Sequence, residues 1–129
     1  MKAVKLVDVP NNDIEKSLLS RRTVPEHKDD PIPTVLVYTV SEGENCPYCD
    51  RLKAELQQYE QENLCHVEVR RLSREGRQRL YDLLRIREDR ERRVPLAFME
   101  GEIGAHNRMI PGGSVGASAY FHELFRVPV

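Results

Sequence analysis

Thr34-Val-Leu-Val-Tyr-Thr-Val40, followed after a short loop by Asn45-Cys-Pro-Tyr-Cys49, is the stretch that decides how this chain is read. The first part is a near-continuous β-branched and apolar run, which predicts a central strand buried on both faces. Ser41 to Asn45 is a polar loop containing Gly43, and Asn45 is suited to cap a helix. In the following segment Cys49, Leu52, Leu56 and Tyr59 recur at helical spacing. They share one face, which should pack against the sheet. The Cys-x-x-Cys pair therefore falls where a buried strand hands over to a helix.

That setting gives the pair its chemistry. A helix N-terminus presents unpaired backbone N–H groups and the positive end of the helix dipole, and both favour a thiolate over a thiol. Cysteines in such sites titrate in the range of about 3.5–7.5, and the thiolate is the nucleophile. Cys46, at the helix start, should be exposed. Cys49, one turn later and inward, should be less reactive and able to resolve a mixed disulfide. Pro47 suits the first helical position, where its missing N–H costs nothing. The competing use of such a pair is a zinc knuckle, with Cys65 and His66 as further ligands. Those two are adjacent on a predicted strand and point to opposite faces, so they cannot both reach one metal. No metal is expected. Cys65 reads as a small buried hydrophobe. His27, His66, His106 and His122 show no spacing that makes a site.

Outward from this centre, Cys65-His-Val-Glu-Val-Arg70 alternates. Cys65, Val67 and Val69 fall on one face and His66, Glu68 and Arg70 on the other, the pattern of a half-exposed strand. Ser73 can cap a second helix with Leu80, Leu83 and Leu84 as its apolar stripe. A charged loop from Ile86 to Arg93 leads to a third strand, Val94-Pro-Leu-Ala-Phe-Met99. Gly101 and Gly104 fall in a turn, and Arg108 to Ile110 returns as a fourth strand. Pro111-Gly-Gly113 breaks it. Ser114 then caps a last helix with Tyr120, Phe121, Leu124 and Phe125 on its apolar side. The order is β-α-β-α-β-β-α, and the first two strands, joined by a helix, should be parallel. Residues 1–33 read as an N-terminal extension. Ala3 to Val9 can form a strand and Asn12 or Asp13 can cap a short helix through Leu19. Pro25, Pro31 and Pro33 then disfavour regular structure, so a single domain is expected over 34–129.

The 129 residues suffice to close one core without disulfide staples. A 40% hydrophobic, 32% charged composition is that of a globular protein. No apolar run approaches the ~18 residues of a membrane helix, and the N-terminus lacks the pattern of a secretory signal. A cytoplasmic location is expected. Three cysteines are too few for a disulfide scaffold, so in a reducing compartment the pair reads as catalytic or metal-binding rather than structural. The net charge of −1 argues against nucleic acid or membrane as partner. Residues 34–69 hold seven acids and two bases, whereas 70–93 hold ten arginines and five acids. Two complementary solvated faces, or a basic patch for an anionic partner, both fit that asymmetry.

Two further features are ambiguous alone. Val94-Pro95 can be an ordinary proline at the start of a strand. Gly112-Gly113-Ser114 can be a plain turn and cap, or a place where backbone N–H groups face an anion. Together with Cys46-Pro-Tyr-Cys49, however, they resemble the glutaredoxin family, dithiol type. The tetrapeptide matches its active-site sequence, Val94-Pro95 its cis-proline motif and Gly112-Gly113 its glycine pair. The likeness runs from about Val35 to Phe125.

This resemblance implies an α/β, thioredoxin-like fold: a four-stranded mixed sheet flanked by helices, here with an N-terminal extension. It implies glutathione-linked disulfide exchange, in which Cys46 attacks a protein disulfide or a glutathionylated cysteine and Cys49 resolves. Glutathione would be the co-substrate. Tyr48 would line its groove, and Val94 beside cis Pro95 would pair with its backbone. Gly113 and Ser114 would meet its γ-glutamyl carboxylate and Arg92 its glycyl carboxylate. Ribonucleotide reductase is a client the resemblance suggests. The chain also departs from the family. The loop before Cys46 is longer and carries Glu42 and Glu44, which should oppose a thiolate. Arg93 replaces the usual Thr, and the segment between Gly101 and Gly112 is long. Alternatives are a redoxin fed by thioredoxin reductase, an interaction module, or a metal- or cluster-binding protein using Cys46.

Overall fold

The computed structural model describes residues 4–19, 32–99 and 108–126. Strand β2 (Thr34–Val40) is buried along nearly all its length, as its apolar run requires. It passes through a short loop into helix α2 (Pro47–Gln61), then to strand β3 (His66–Leu72) and helix α3 (Arg74–Leu83). Strands β4 (Leu96–Met99) and β5 (Arg108–Met109) follow, and helix α4 (Gly113–Phe125) ends the described chain. β2 and β3 are parallel, whereas β4 runs antiparallel to β2 and β5 antiparallel to β4. This is the α/β, thioredoxin-like arrangement, a mixed sheet with helices on both faces.

The sheet has five strands rather than four. Lys5–Asp8 forms strand β1, which pairs in parallel with β3 and gives the order β1-β3-β2-β4-β5. Helix α1 (Ile14–Leu19) follows it. The extension thus adds an edge strand and a helix to the same body, and Ile14 is fully buried in its core.

Addition of β1 changes the environment of β3. The expected half-exposed strand is instead central, and Glu68 and Arg70 are 3% and 1% exposed. They lie on the same face as Leu36 and Tyr38, their register partners on β2. Arg70 donates through Nε to Glu68 (2.6 Å) and through Nη1 to the Ser17 carbonyl (2.5 Å) and the Tyr38 hydroxyl (3.1 Å). Ser17 and Tyr38 also share a hydrogen bond of 2.8 Å. Burial of the guanidinium is sustained because a charge, two hydroxyls and a carbonyl surround it.

The helix stripes are shifted in detail. In α2, Cys49, Leu52, Leu56 and Tyr59 are all buried. In α3, Leu80 and Tyr81 are buried while Leu83 lies outward. In α4, Ala117 and Phe121 are buried, and Tyr120 and Leu124 are exposed. Hydropathy alone overrates those exposed residues, whose direction is set by the helix's docking angle. Ser73 caps α3 as expected, accepting from the Gly76 N–H at 3.1 Å. Ser114 does not cap α4. That role falls to Gly112, whose φ of +89° suits a residue without Cβ. The expected turn at Gly101 and Gly104, His27, His106, Pro25 and Pro31 lie outside the described residues.

Candidate active site

Cys46 ends the loop that leaves β2, and it is the N-cap residue of α2 in place of the expected Asn45. Its backbone is extended (φ −143°, ψ 90°), and its sulfur accepts a hydrogen bond from the Cys49 N–H at 3.2 Å. Its carbonyl accepts the Asp50 N–H at 3.0 Å. Pro47 takes the first helical position. The sulfur therefore accepts from one of the N–H groups that a helix start leaves without an intrahelical partner, a contact that favours negative charge on a sulfur once the disulfide is open.

Cys46 and Cys49 are joined by a disulfide, with Cα atoms 5.2 Å apart. Cys46 is half-buried, less open than expected, and Cys49 is 4% exposed. Cys46 is thus the sulfur nearer solvent, with Cys49 held behind it on the inward face of α2. The third cysteine, Cys65, is free and fully buried. Burial, reinforced by the Glu60 carboxylate, pushes its thiol up to about 12. It is chemically silent in the folded protein.

Against Cys46 lies the strand-end segment before β4. The Val94–Pro95 peptide bond is cis, and the Val94 carbonyl oxygen lies 3.9 Å from Cys46 Sγ. Pro95 is buried and Val94 half-buried. The structure thus brings Cys46, Cys49, Val94 and Pro95 together from two parts of the chain. Tyr48, between the two cysteines, projects into solvent, with the Arg51 guanidinium carbon 6.0 Å from its ring centroid. Tyr48 and Ser114 both line an open groove of about 630 Å³ between α2 and α4. Deeper in it, the Glu55 carboxylate accepts from the Ser118 hydroxyl at 2.8 Å. Gly113, at φ +62°, opens α4.

Arg92 is not free to face this groove. Its guanidinium donates to the Ile86 carbonyl (2.8 Å), Gln78 (3.2 Å) and Asp82 (2.9 Å), tying the loop after α3 back to that helix. Its sequence position, close to the cis proline, conceals this local role.

Glu44, expected to oppose a thiolate, is neutralised. Arg77 on α3 grips both its carboxylate oxygens, at 2.8 and 2.9 Å. These bonds, with those from Ser41, hold its carboxyl down at about 2. Sequence reasoning passed over Arg77 because it lies in an arginine-rich run, 33 residues from its partner. Among the described residues no group of three or more His, Cys, Asp or Glu side chains could hold a metal ion. None of the described helices is long and apolar enough to cross a membrane.

No protein-family model matches the sequence, and no curated protein matches it. Among solved structures, the chain is similar to the crystal structure of the J-Trx1 fragment of ERdj5, with 10% identity and a TM-score of 0.44. The match covers 95% of this chain and 52% of that one, so the chain spans about half its length.

Proposed function

We propose that this protein is a thiol–disulfide oxidoreductase of glutaredoxin type, with Cys46 as nucleophile, Cys49 as resolving thiol and glutathione as electron donor. The observation that carries this reading is the half-buried Cys46 sulfur bound to a helix N-terminal N–H and paired with a buried Cys49. In the reduced enzyme the Cys46 thiolate attacks one sulfur of a client disulfide. A new S–S bond forms, the client bond breaks, and the departing thiolate takes a proton. Cys49 thiolate then attacks Cys46 Sγ, releasing the second client thiol and closing the 46–49 disulfide. Two glutathione molecules reopen it in successive exchanges, leaving glutathione disulfide. A glutathionylated client needs only Cys46 and a second glutathione. A reducing compartment such as the cytosol suits a catalytic pair of this kind.

Arg92 favours a second reading. Because its guanidinium is engaged with Asp82, Gln78 and Ile86, it offers little to a glycyl carboxylate. A redoxin that receives electrons from thioredoxin reductase needs no such anchor.

Turnover of a small glutathione mixed disulfide, measured with glutathione plus glutathione reductase and separately with thioredoxin reductase, separates the two. The first donor should support turnover, Cys46→Ser should abolish it, and Cys49→Ser should retain it while losing protein-disulfide reduction. A reduced protein inactive with both donors ends both readings.

A further inference from the structure

The loop that delivers Cys46 to its helix is held by a contact the proposed reaction does not use. Arg77 reaches from the first half of α3 to the loop between β2 and α2. Its Nη1 and Nη2 donate to Glu44 Oε2 and Oε1, and Nη1 also donates to the Leu72 carbonyl at 2.9 Å. Glu44 Oε2 accepts in addition from the Ser41 N–H (3.0 Å) and hydroxyl (2.5 Å). One two-pronged pair thus fastens both ends of the loop to the C-terminal end of β3, two residues before the nucleophile. The Arg77 side chain is 13% exposed and that of Glu44 is 37%, so solvent screens the pair only in part. Planar, bidentate geometry of this kind is specific to arginine.

We propose that Glu44 and Arg77 are a positioning pair for Cys46, fixing the loop that places the sulfur at the helix end and cancelling that loop's own negative charge there. The proposal rests on Cys46 being the reactive thiol. A full charge within about 10 Å of a thiolate, in a partly solvated setting, moves its titration by roughly half a pH unit. Glu44 alone would move it upward and Arg77 alone downward, and the pair leaves the helix terminus in control. The neighbouring charges on the same elements are Glu42 in the loop, Asp50 and Arg51 in the first turns of α2, and Arg93 beside Val94. None of them is changed in the test below.

The test is the rate of Cys46 alkylation by iodoacetamide against pH in the reduced full chain, read peptide by peptide by mass spectrometry. It is run on the parent, Glu44→Gln, Arg77→Gln and the double variant. Arg77→Gln should raise the midpoint by roughly half a pH unit, Glu44→Gln should lower it by a similar amount, and the double variant should return close to the parent. Arg77→Lys, which keeps the charge and loses the fork, should recover most of the midpoint. It also serves as the folded control if Arg77→Gln does not fold. A purely mechanical tether moves both single variants in the same direction. That outcome, or midpoints that do not move, overturns the proposal. Opposite shifts in a protein without disulfide-exchange turnover support the pair and overturn the oxidoreductase reading. Unmoved midpoints with turnover intact do the reverse.

Discussion

Against one face of the sheet, α2 and α4 lay an apolar core of Val35, Val37, Leu52, Leu56, Val69 and Phe121 and their neighbours, with the buried Glu60 carboxylate accepting from the Val67 N–H beside it. Against the other, α1 and α3 cover Leu36, Tyr38, Leu72 and Phe98, but also enclose the ion pair of Arg70 and Glu68. The first face is held by non-directional burial and tolerates small shifts of packing. The second depends on a bonded cluster whose members were brought from β3, β2 and α1. The two disulfide-bonded sulfurs ride on the apolar side, at the start of α2. The polar side reaches the loop before them through Arg77. The disulfide is therefore mounted on the face that is simpler to fold, while the loop before it is fastened from the more demanding one.

Removal of Arg70 should break this contrast most severely. Arg70→Ala leaves the Glu68 carboxylate buried without its closest cation and should cost about 3–5 kcal/mol in urea unfolding. Replacing both members together, Glu68→Leu with Arg70→Met, should recover much of that loss. If the single and double variants are equally unstable, the cluster is not the source of the cost. Leu56→Ala, at the centre of the apolar face, should cost about 2–5 kcal/mol through transfer and cavity terms. Cys65 provides a probe of the same face. With its thiol held near 12 against an ordinary 9.0, the folded state keeps the proton that the unfolded chain releases. The burial is harmless below pH about 9. Above it, stability should fall progressively until pH passes about 12, by on the order of 1 kcal/mol at pH 10. Native Cys65 should also resist alkylation at pH 8 under conditions that label Cys46, and rapid labelling of both would mean the apolar face opens. Leu124→Ala, on the outward side of α4, should change stability by no more than about 0.5 kcal/mol.

Glu44 offers the mildest probe, where the polar face meets the loop before Cys46. Its carboxyl is held down at about 2, first by the Arg77 hydrogen bond. Its stabilising contribution is therefore complete above pH about 4.5 and is lost as pH falls through about 2. The difference in acid unfolding between the parent and Glu44→Gln should close over that window. A difference that persists unchanged at pH 2 would falsify the assignment of the proton to Glu44.

Much of this architecture is legible without coordinates where one element carries its own signal. β2 is announced by seven residues of apolar and β-branched character, α2 by its spacing and by Pro47, and α3 by Ser73. These are local facts, because caps, proline and periodicity act over one or two turns. The sequence by itself also placed two cysteines one turn apart at a helix start, since strand, loop and helix follow one another directly.

Only the tertiary structure decided which polar residues are enclosed and whom they meet. Alternation correctly put Glu68 and Arg70 on one face of β3, but could not reveal that β1 would pair beside it and α1 would cover that face. Arg92 and Arg77 look alike in an arginine-rich run, yet one closes its own loop and the other grips the loop before Cys46. The proximity of Val94 to Cys46 likewise spans 48 residues. A charged side chain takes its role from the partner that desolvation forces it to find, and that partner is chosen in space, after the apolar elements have packed.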